Sequence, residues 1–596
     1  PNPGGAELMV NFVDVSVDPF TLEIIRHSLA AIPNEIDANI TRTAFSPLVY
    51  EYKDFATGIV DPKGHLIAQG AGSIPIFVAN ALGNAVRDGL QIYGAENINP
   101  GDIIISNHAG TLGQHLNNVV MYTPVFFGDG QEELFGFMCV LVHWVDIGGG
   151  AVGSCSATDT TDIFQEGIQF RTVKLWDRGT RNDELYRIIE YNTRFPEMVL
   201  GDLEAQLAGT KSGHDKLLSL IERYGSTTLR AAIEIIWNQS EQVARDAVKK
   251  LPDGVWRAES FLDDDGVGKG QTVPVVVEVR IHGDSMTIDF SDLGSEVSGP
   301  LNSGIFGGAY PAAKIAFKML TAPEEAANEG SFRPLNIIAP EGTFLSAGPT
   351  APMGLYSATL PTVIDTIIRA VGKATPEAAI GGHHASFCAH WFFGTDPRTN
   401  ELFQQLDTAH GGWGATADAD GSGPFKTMAH GDTLNVPVEV QEVLNPLMVE
   451  AIALRQDSGG DGSSRGGLGT EKVVRVLTDC NISVQIDRTL CPPWGADGGL
   501  AAEPGDASVE HKNGKVRRVI KGTVPLEAGD RFRLKTGGGG GFGCPINRDP
   551  YCVANDISTG YLSEKKAKDI YGVFLDEKGD LDRIQTKAAR AAMDQN

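Results

Sequence analysis

No two of the seven cysteines stand at C-x-x-C spacing, and their number is odd. Neither a disulfide framework nor a cysteine-paired zinc module fits, and the thiols are expected to be reduced, in a cytoplasm. No apolar run reaches the roughly 18 residues a membrane-spanning helix needs, and no basic, apolar, small-residue leader opens the sequence. The expectation is a soluble, cytoplasmic protein. Basic charge is scarce, with 49 Lys and Arg against 76 Asp and Glu, a net charge of −27. Such a surface disfavours non-specific binding to nucleic acid or anionic membranes. No block of like charge forms a tail. There is no G-x-x-x-x-G-K-[ST] loop and no G-x-G-x-x-G between strand and helix, so neither device binds a nucleotide here.

Glycine is what the chain has in excess, 71 of 596 residues. It clusters at Gly148–Gly150, Gly304–Gly308, Gly411–Gly414, Gly459–Gly467 and Gly537–Gly543. These read as tight turns and loop crossings, where the lack of a Cβ permits positive φ and close backbone approach. An apolar content of 42% and a charged content of 21% suit a globular protein, and the length allows two to four domains.

The chemistry concentrates between Asn107 and Glu166. Three of only 13 histidines fall within 36 residues: His108 and His115 in NHAGTLGQHLNN, and His143 in VHWVDIGGG. Between them, VVMYTPVFFGDGQEELFGFMCVLV is two apolar runs joined by a GDG turn, the pattern of a β-hairpin. The hairpin returns His143 to the neighbourhood of His115. Two imidazoles on paired strands, with Asp146 and Glu166 close in sequence, form a candidate divalent-metal or acid–base site. A second polar group, His383, His384, His390 and His410, is weaker. Adjacent side chains on a strand point to opposite faces, so one of His383 and His384 is expected to be structural.

Elsewhere the periodicity predicts a helix over Asp18–Ala44, kinked or broken at Pro33. Further helices are predicted at Asn80–Tyr93, at Asp183–Glu190, and over Asp202–Leu251 with an interruption at Gly225. Strands follow from Gly254, then helices through AAKIAFKML and Leu360–Val371. Beyond Pro437 the chain reads as strand and turn, VEVQEVL included, before a short terminal helix and a polar tail. The fold class is α+β, multidomain, with mixed helices and strands and a β-rich C-terminal region. Boundaries are expected to give domains at 1–253, 254–436 and 437–596.

Several stretches stand together in one order: DPFTLEIIRHSL, EYKDFATGIVDPKGHLIAQG, NHAGTLGQHLNN, HWVDIGGGAVGS, FQEGIQF, DSGGDGSSRGGLGT and STGYLSEKKAKDIYGV. In these motifs the chain resembles the hydantoinase B family, the B-type subunits of ATP-dependent hydantoinases, 5-oxoprolinases and caprolactamase, related to subunits of acetone and acetophenone carboxylases. The resemblance runs from Asp18 to about Arg590. It implies an A-type ATPase partner that binds ATP and magnesium and phosphorylates the substrate, while the B-type chain houses a metal-assisted site. By motif, His115 and His143 are the implied metal ligands. Asp54, Asp146 and Glu166 match the family's carboxylates and are the implied catalytic groups.

Three positions depart from the family pattern. His108 stands where an aspartate is usual, Asn118 replaces the carboxylate after H-L-P, and Phe77 replaces a histidine. Asn118 and His108 are therefore candidates for a third ligand. Trading carboxylate for imidazole tilts the site from hard cations toward zinc, with manganese and iron the other candidates. The reading favoured by the resemblance is an ATP-dependent amidohydrolase opening a cyclic amide: a hydantoin, 5-oxoproline or a lactam. The alternatives are one component of a ketone carboxylase that works on an enol phosphate, and a scaffold whose site has decayed.

Overall fold

Asp18 caps the first helix, Pro19–Thr43, its carboxylate accepting from the Phe20 and Thr21 amides at 3.1 Å each. The computed structural model describes residues 17–130 and 132–593; the stretch before Val17, which reads in sequence as a loose arm, and the last three residues of the tail lie outside the described residues. Leu22, Ile25, Leu29, Ile32, Ile36 and Ile40 are buried along one stripe of this helix. No break occurs at Pro33; the helix is continuous through it. An interior proline costs about 3 kcal/mol. Six buried aliphatic side chains at about 1.5–3 kcal/mol each outweigh it, and Thr57 Oγ1 lies 3.2 Å from the Pro33 carbonyl, tying the helix to the first sheet.

That stripe packs against the helix Pro196–Tyr224 and a seven-stranded antiparallel sheet. Its strands are β1 (Phe55–Val60), β2 (Leu66–Gln69), β3 (Ile103–Ser106), β4 (Asn118–Phe127), β5 (Glu133–His143), β6 (Val173–Asp177) and β7 (Thr180–Arg181). Their spatial order is β2-β1-β5-β4-β3-β6-β7. The helix Pro196–Tyr224 packs on β4 and β5, as does Ala81–Tyr93. Burial on both faces explains why these two strands are apolar almost without interruption rather than alternating. The expected hairpin is present, and its register sets Asn118 directly opposite His143.

The middle of the chain adds a second sheet: β8 (Gly254–Leu262), β9 (Val273–His282), β10 (Ser285–Asp289) and β11 (Leu335–Ile338). Here β9 does alternate between buried and open positions, because only one face is covered, by the helix Tyr356–Gly372. One continuous apolar cluster runs from Leu22 to Val371 and takes in Met428, Ala429 and Val436.

The C-terminal strands are β12 (Ala389–Asp396), β13 (Glu401–Asp407), β14 (Leu447–Leu454), β15 (Thr470–Val476) and β16 (Cys480–Gln485). After them come β17 (Asp506–Glu510), β18 (Val516–Arg518), β19 (Lys521–Leu526) and β20 (Arg531–Lys535). They make two sheets, β13-β12-β16-β19 and β14-β15-β20-β17-β18, that share a separate core including Phe392, Ile482, Val484, Val509 and Phe532. VEVQEVL, expected as a strand, is the helix Val438–Leu444. Pro437 ends the preceding extended segment and Gln441 turns inward to hydrogen-bond the Val436 carbonyl, so tertiary context overrides the β-branched pattern. The architecture is α+β and multidomain with a β-rich C-terminal region.

The glycine clusters are crossings of backbone on backbone. The Gly539 amide donates to Gly467, that of Gly540 to Gly382 and that of Gly460 to Gly539. A Cβ built on Gly466 would lie 1.7 Å from the Gly539 carbonyl oxygen.

Candidate active site at one end of the first sheet

In an antiparallel sheet the start of one strand lies beside the end of its neighbour. Asp54 immediately precedes β1, Asn118 opens β4 and His143 closes β5, so three residues far apart in sequence meet at one end of the sheet. The His143 amide donates to the Asp54 carbonyl at 3.1 Å. Gln206, from the helix above, donates to the Val119 and Val140 carbonyls at 2.8 Å each and accepts from Trp144 Nε1, fastening helix to hairpin.

His115 is buried in the turn before β4, its ring edge-on to His143 with centroids 5.0 Å apart. Its Nδ1 faces the Gly354 carbonyl and its Nε2 faces Asn118 Oδ1, each at 3.2 Å. The amide of Asn118 is oriented by its NH2, which donates to Gln114 Oε1 and to the Tyr356 hydroxyl. A neutral imidazole has one N–H, yet here it meets two acceptors. Burial lowers the pKa of His115 to about 4, so a second proton does not resolve the conflict. A cation shared by Nε2 and Oδ1 would resolve it.

The cluster has a third member that carries no signal in the sequence. Cys155 Sγ lies 3.6 Å from His143 Nε2. One donor atom each from His115, His143 and Cys155 lie within 4.8 Å of one another, all three residues buried. Burial pushes the pKa of His143 well below its usual value and that of Cys155 well above. The imidazoles are thus in the neutral form that ligates a metal, and the buried thiol is one that a bound cation would ionise. His143 Nδ1 is buried without a partner. Two nitrogens, a sulfur and an amide oxygen make a borderline-soft donor set, which fits zinc better than magnesium or calcium.

The other expected residues separate. Asp54 lines the same chamber as both histidines, and burial raises its carboxyl pKa to about 8. Glu166 stands behind the chamber wall: Oε1 accepts from the Met353 and Gly354 amides at 2.7 and 2.8 Å and from Thr160 Oγ1. The Gly354 peptide therefore links Glu166 to His115. Glu166 is raised to about 8 by burial, and its Oε2 has no partner. Asp146 does not join the cluster. Its carboxylate accepts from the amides of Gly148, Gly153 and Arg194 and from Arg194 Nη1 at 2.9 Å, pinning the glycine loop that carries Cys155. His108 does not join it either; its Nδ1 pairs with Thr111 Oγ1 at 3.0 Å, and Arg171 and Asp88 are its charged neighbours.

Phe77, Tyr356 and His430 also line the chamber. His430 stacks on Phe387 at 3.9 Å between centroids, pairs through Nδ1 with Thr427 Oγ1, and leaves Nε2 buried and unpartnered. Nothing around MAHGD distinguishes that histidine in sequence, because its partners come from elsewhere in the fold. Of the second polar group, His383 is structural: its Nδ1 pairs with Asp365 at 2.9 Å, and Asp365 also holds Arg488. The chamber's free space is about 20 Å³, room for one water or one ion.

A family model described as hydantoinase B/oxoprolinase matches residues 18–545. The chain belongs to the hydantoinase B/oxoprolinase family. It is 30% identical, over 592 residues, to a Pseudomonas sp. (strain NS671) protein whose name makes it the B-type component of a D-/L-hydantoinase, covering 96% of this chain and 98% of that one. Its fold matches the crystal structure of ATP-dependent caprolactamase from Pseudomonas jessenii with a TM-score of 0.88 and 26% identity, over 97% of this chain and 100% of that chain. A nucleotide-free acetone carboxylase shares the fold at a TM-score of 0.87 and 19% identity, over 97% of this chain and 83% of that chain. Among the described residues of this family member, no helix is long and apolar enough to cross a membrane.

Proposed function

We propose that this chain is the B-type subunit of an ATP-dependent amidohydrolase that opens a cyclic amide after an A-type partner has phosphorylated it. The observation that carries the reading is the buried His115–His143–Cys155 cluster, with Asn118 at its edge, in a chain that matches the hydantoinase B/oxoprolinase family over most of its length. The lack of any phosphate loop in the sequence is consistent with ATP and its magnesium residing on the partner.

His115, His143 and Cys155 would hold a divalent metal, zinc before manganese or iron, with Asn118 Oδ1 as a further ligand. A metal so held supplies Lewis acidity and lowers the pKa of water. The protein supplies the rest. Glu166 fixes the Gly354 peptide, whose carbonyl takes the His115 Nδ1–H and leaves Nε2 free as a donor atom. Asp54, the carboxyl that lines the chamber, is poised near neutrality to take a proton from attacking water and return it to the leaving ring nitrogen. Tyr356 presents its hydroxyl to the same space.

The test is elemental analysis of the purified two-subunit complex, alongside ring opening with ATP, in the parent and in a His115→Ala, His143→Ala double variant. About one metal per chain, lost in the variant together with turnover, is expected. An active, metal-free complex would overturn the metal assignment, and bicarbonate-dependent carboxylation of a ketone in place of ring opening would overturn the hydrolase reading.

A further inference from the structure

The chamber is too small for any cyclic amide, so the substrate's ring must sit outside it. His143, Trp391 and Leu406 line the chamber and also a larger cleft of about 510 Å³ on its other side. That cleft meets a cluster residue directly, and its inner wall is largely apolar. Leu48, Phe195, Trp391 and Phe403 are buried in its walls, while Leu402, Val443 and Leu444 are exposed at its lip. Among the described lining residues the one cation is Arg398, and its guanidinium is committed: Nε and Nη2 bind Asp396 and Nη1 donates to the Val443 carbonyl. The amides of Gln404, Gln405 and Asn445 are also spoken for, on the Val145 carbonyl, the Leu406 carbonyl and Gln405 Oε1. With Asp396 and Glu401 in the lining against Arg398 alone, a substrate carboxylate entering this space would meet no net positive charge. An alkyl or aryl substituent would be stabilised by leaving water.

Resting on the reading of the site as a cyclic-amide hydrolase, we infer that the Leu48–Phe195–Trp391 cleft holds an apolar substituent of the substrate. The chain then selects cyclic amides bearing an alkyl or aryl group and no free carboxylate, and rejects 5-oxoproline. The reacting carbon would lie at the His143 end and the substituent would point toward Leu402 and Leu444.

The experiment uses the assembled complex with ATP and three probes: 5-benzylhydantoin, unsubstituted hydantoin and 5-oxoproline. A kcat/KM for the benzyl compound about tenfold or more above that for each of the others is expected. Leu444→Asp, at the lip of the cleft, should remove most of that advantage, lowering kcat/KM for the benzyl compound about tenfold, while co-purification with the partner persists. Preference for 5-oxoproline, or an undiminished benzyl advantage in the variant, would overturn the inference. Loss of the partner in Leu444→Asp would overturn it too, showing the lip to be a contact between the two chains. If no cyclic amide is opened, the hydrolase reading fails. Calorimetric binding of 5-benzylhydantoin against 5-oxoproline then still decides the cleft: tighter binding of the apolar compound upholds its character and equal or weaker binding refutes it.

Discussion

Asn118→Asp restores a carboxylate at the position where the family pattern has one, and the structure sets opposite consequences with and without metal. In the metal-free protein the Asn118 NH2 donates two hydrogen bonds, to Gln114 Oε1 at 3.0 Å and to the Tyr356 hydroxyl at 2.9 Å. An aspartate keeps the second, because the Tyr356 hydroxyl can turn to donate. It loses the first, and Gln114 cannot flip to compensate without giving up its own bond to the Ile76 carbonyl at 3.1 Å. One buried hydrogen bond lost and two acceptors opposed cost about 2–4 kcal/mol. Spread over the core from Leu22 to Val371, at about 2.1 cal/mol/K per residue, that lowers the melting temperature by about 3–5 °C. With metal bound, the new carboxylate adds charge where Oδ1 already faces His115 Nε2. At a metal concentration about 100 times the dissociation constant, binding alone returns about 2.7 kcal/mol. Scanning calorimetry of chelated and zinc- or manganese-loaded protein should therefore show a metal-induced rise larger in the variant than in the parent. Equal rises would refute a role for Asn118 at the metal. An undisturbed apo variant would refute the hydrogen-bond network from which the cost is worked.

Three further outcomes follow from the same geometry. Cobalt(II) loaded into the chelated parent should give a near-ultraviolet thiolate-to-metal charge-transfer band that Cys155→Ala abolishes; a band that survives removes Cys155 from the ligand set. Asp146→Asn should loosen the Gly148–Gly153 loop and weaken metal affinity by about 10–100-fold, with turnover recovered at saturating metal; complete and unrecoverable loss would instead make Asp146 a catalytic group. Asp37, whose carboxyl burial raises from 3.8 to about 6, binds its proton more tightly folded than unfolded. Its contribution to stability is therefore full below about pH 4 and is lost as pH rises through about 6. Asp37→Asn should remove that loss, so its unfolding free energy should gain on the parent's between about pH 4 and pH 7, by about 2–3 kcal/mol. A pH-independent difference would show that Asp37 ionisation is not coupled to folding.

The sequence alone determined those features whose cause is local. The period of the Leu22–Ile40 stripe, the break at Gly225 and the apolar runs around GDG each settle their element by backbone geometry and side-chain spacing. The hairpin went further: its register brings His143 back to Asn118, so the centre of the candidate site was legible from one turn. A break at Pro33 and a strand at VEVQEVL do not form, because burial against distant segments outweighs local propensity. The site's membership was decided by tertiary structure. Asp146 and Glu166 look alike in sequence, yet one is consumed by the glycine loop and Arg194 while the other reaches His115 through the Gly354 peptide, 188 residues away. Cys155, His430 and Tyr356 carry no motif of their own; they become neighbours only when the end of the first sheet meets the loop before Tyr356 and the segment around His430. The apolar cleft is the same kind of object, its walls drawn from segments as far apart as Leu48 and Leu444. Local sequence fixes an element through hydrogen bonds and rotamers a few residues apart, whereas desolvation, pKa and a cavity's lining depend on what folding brings into contact.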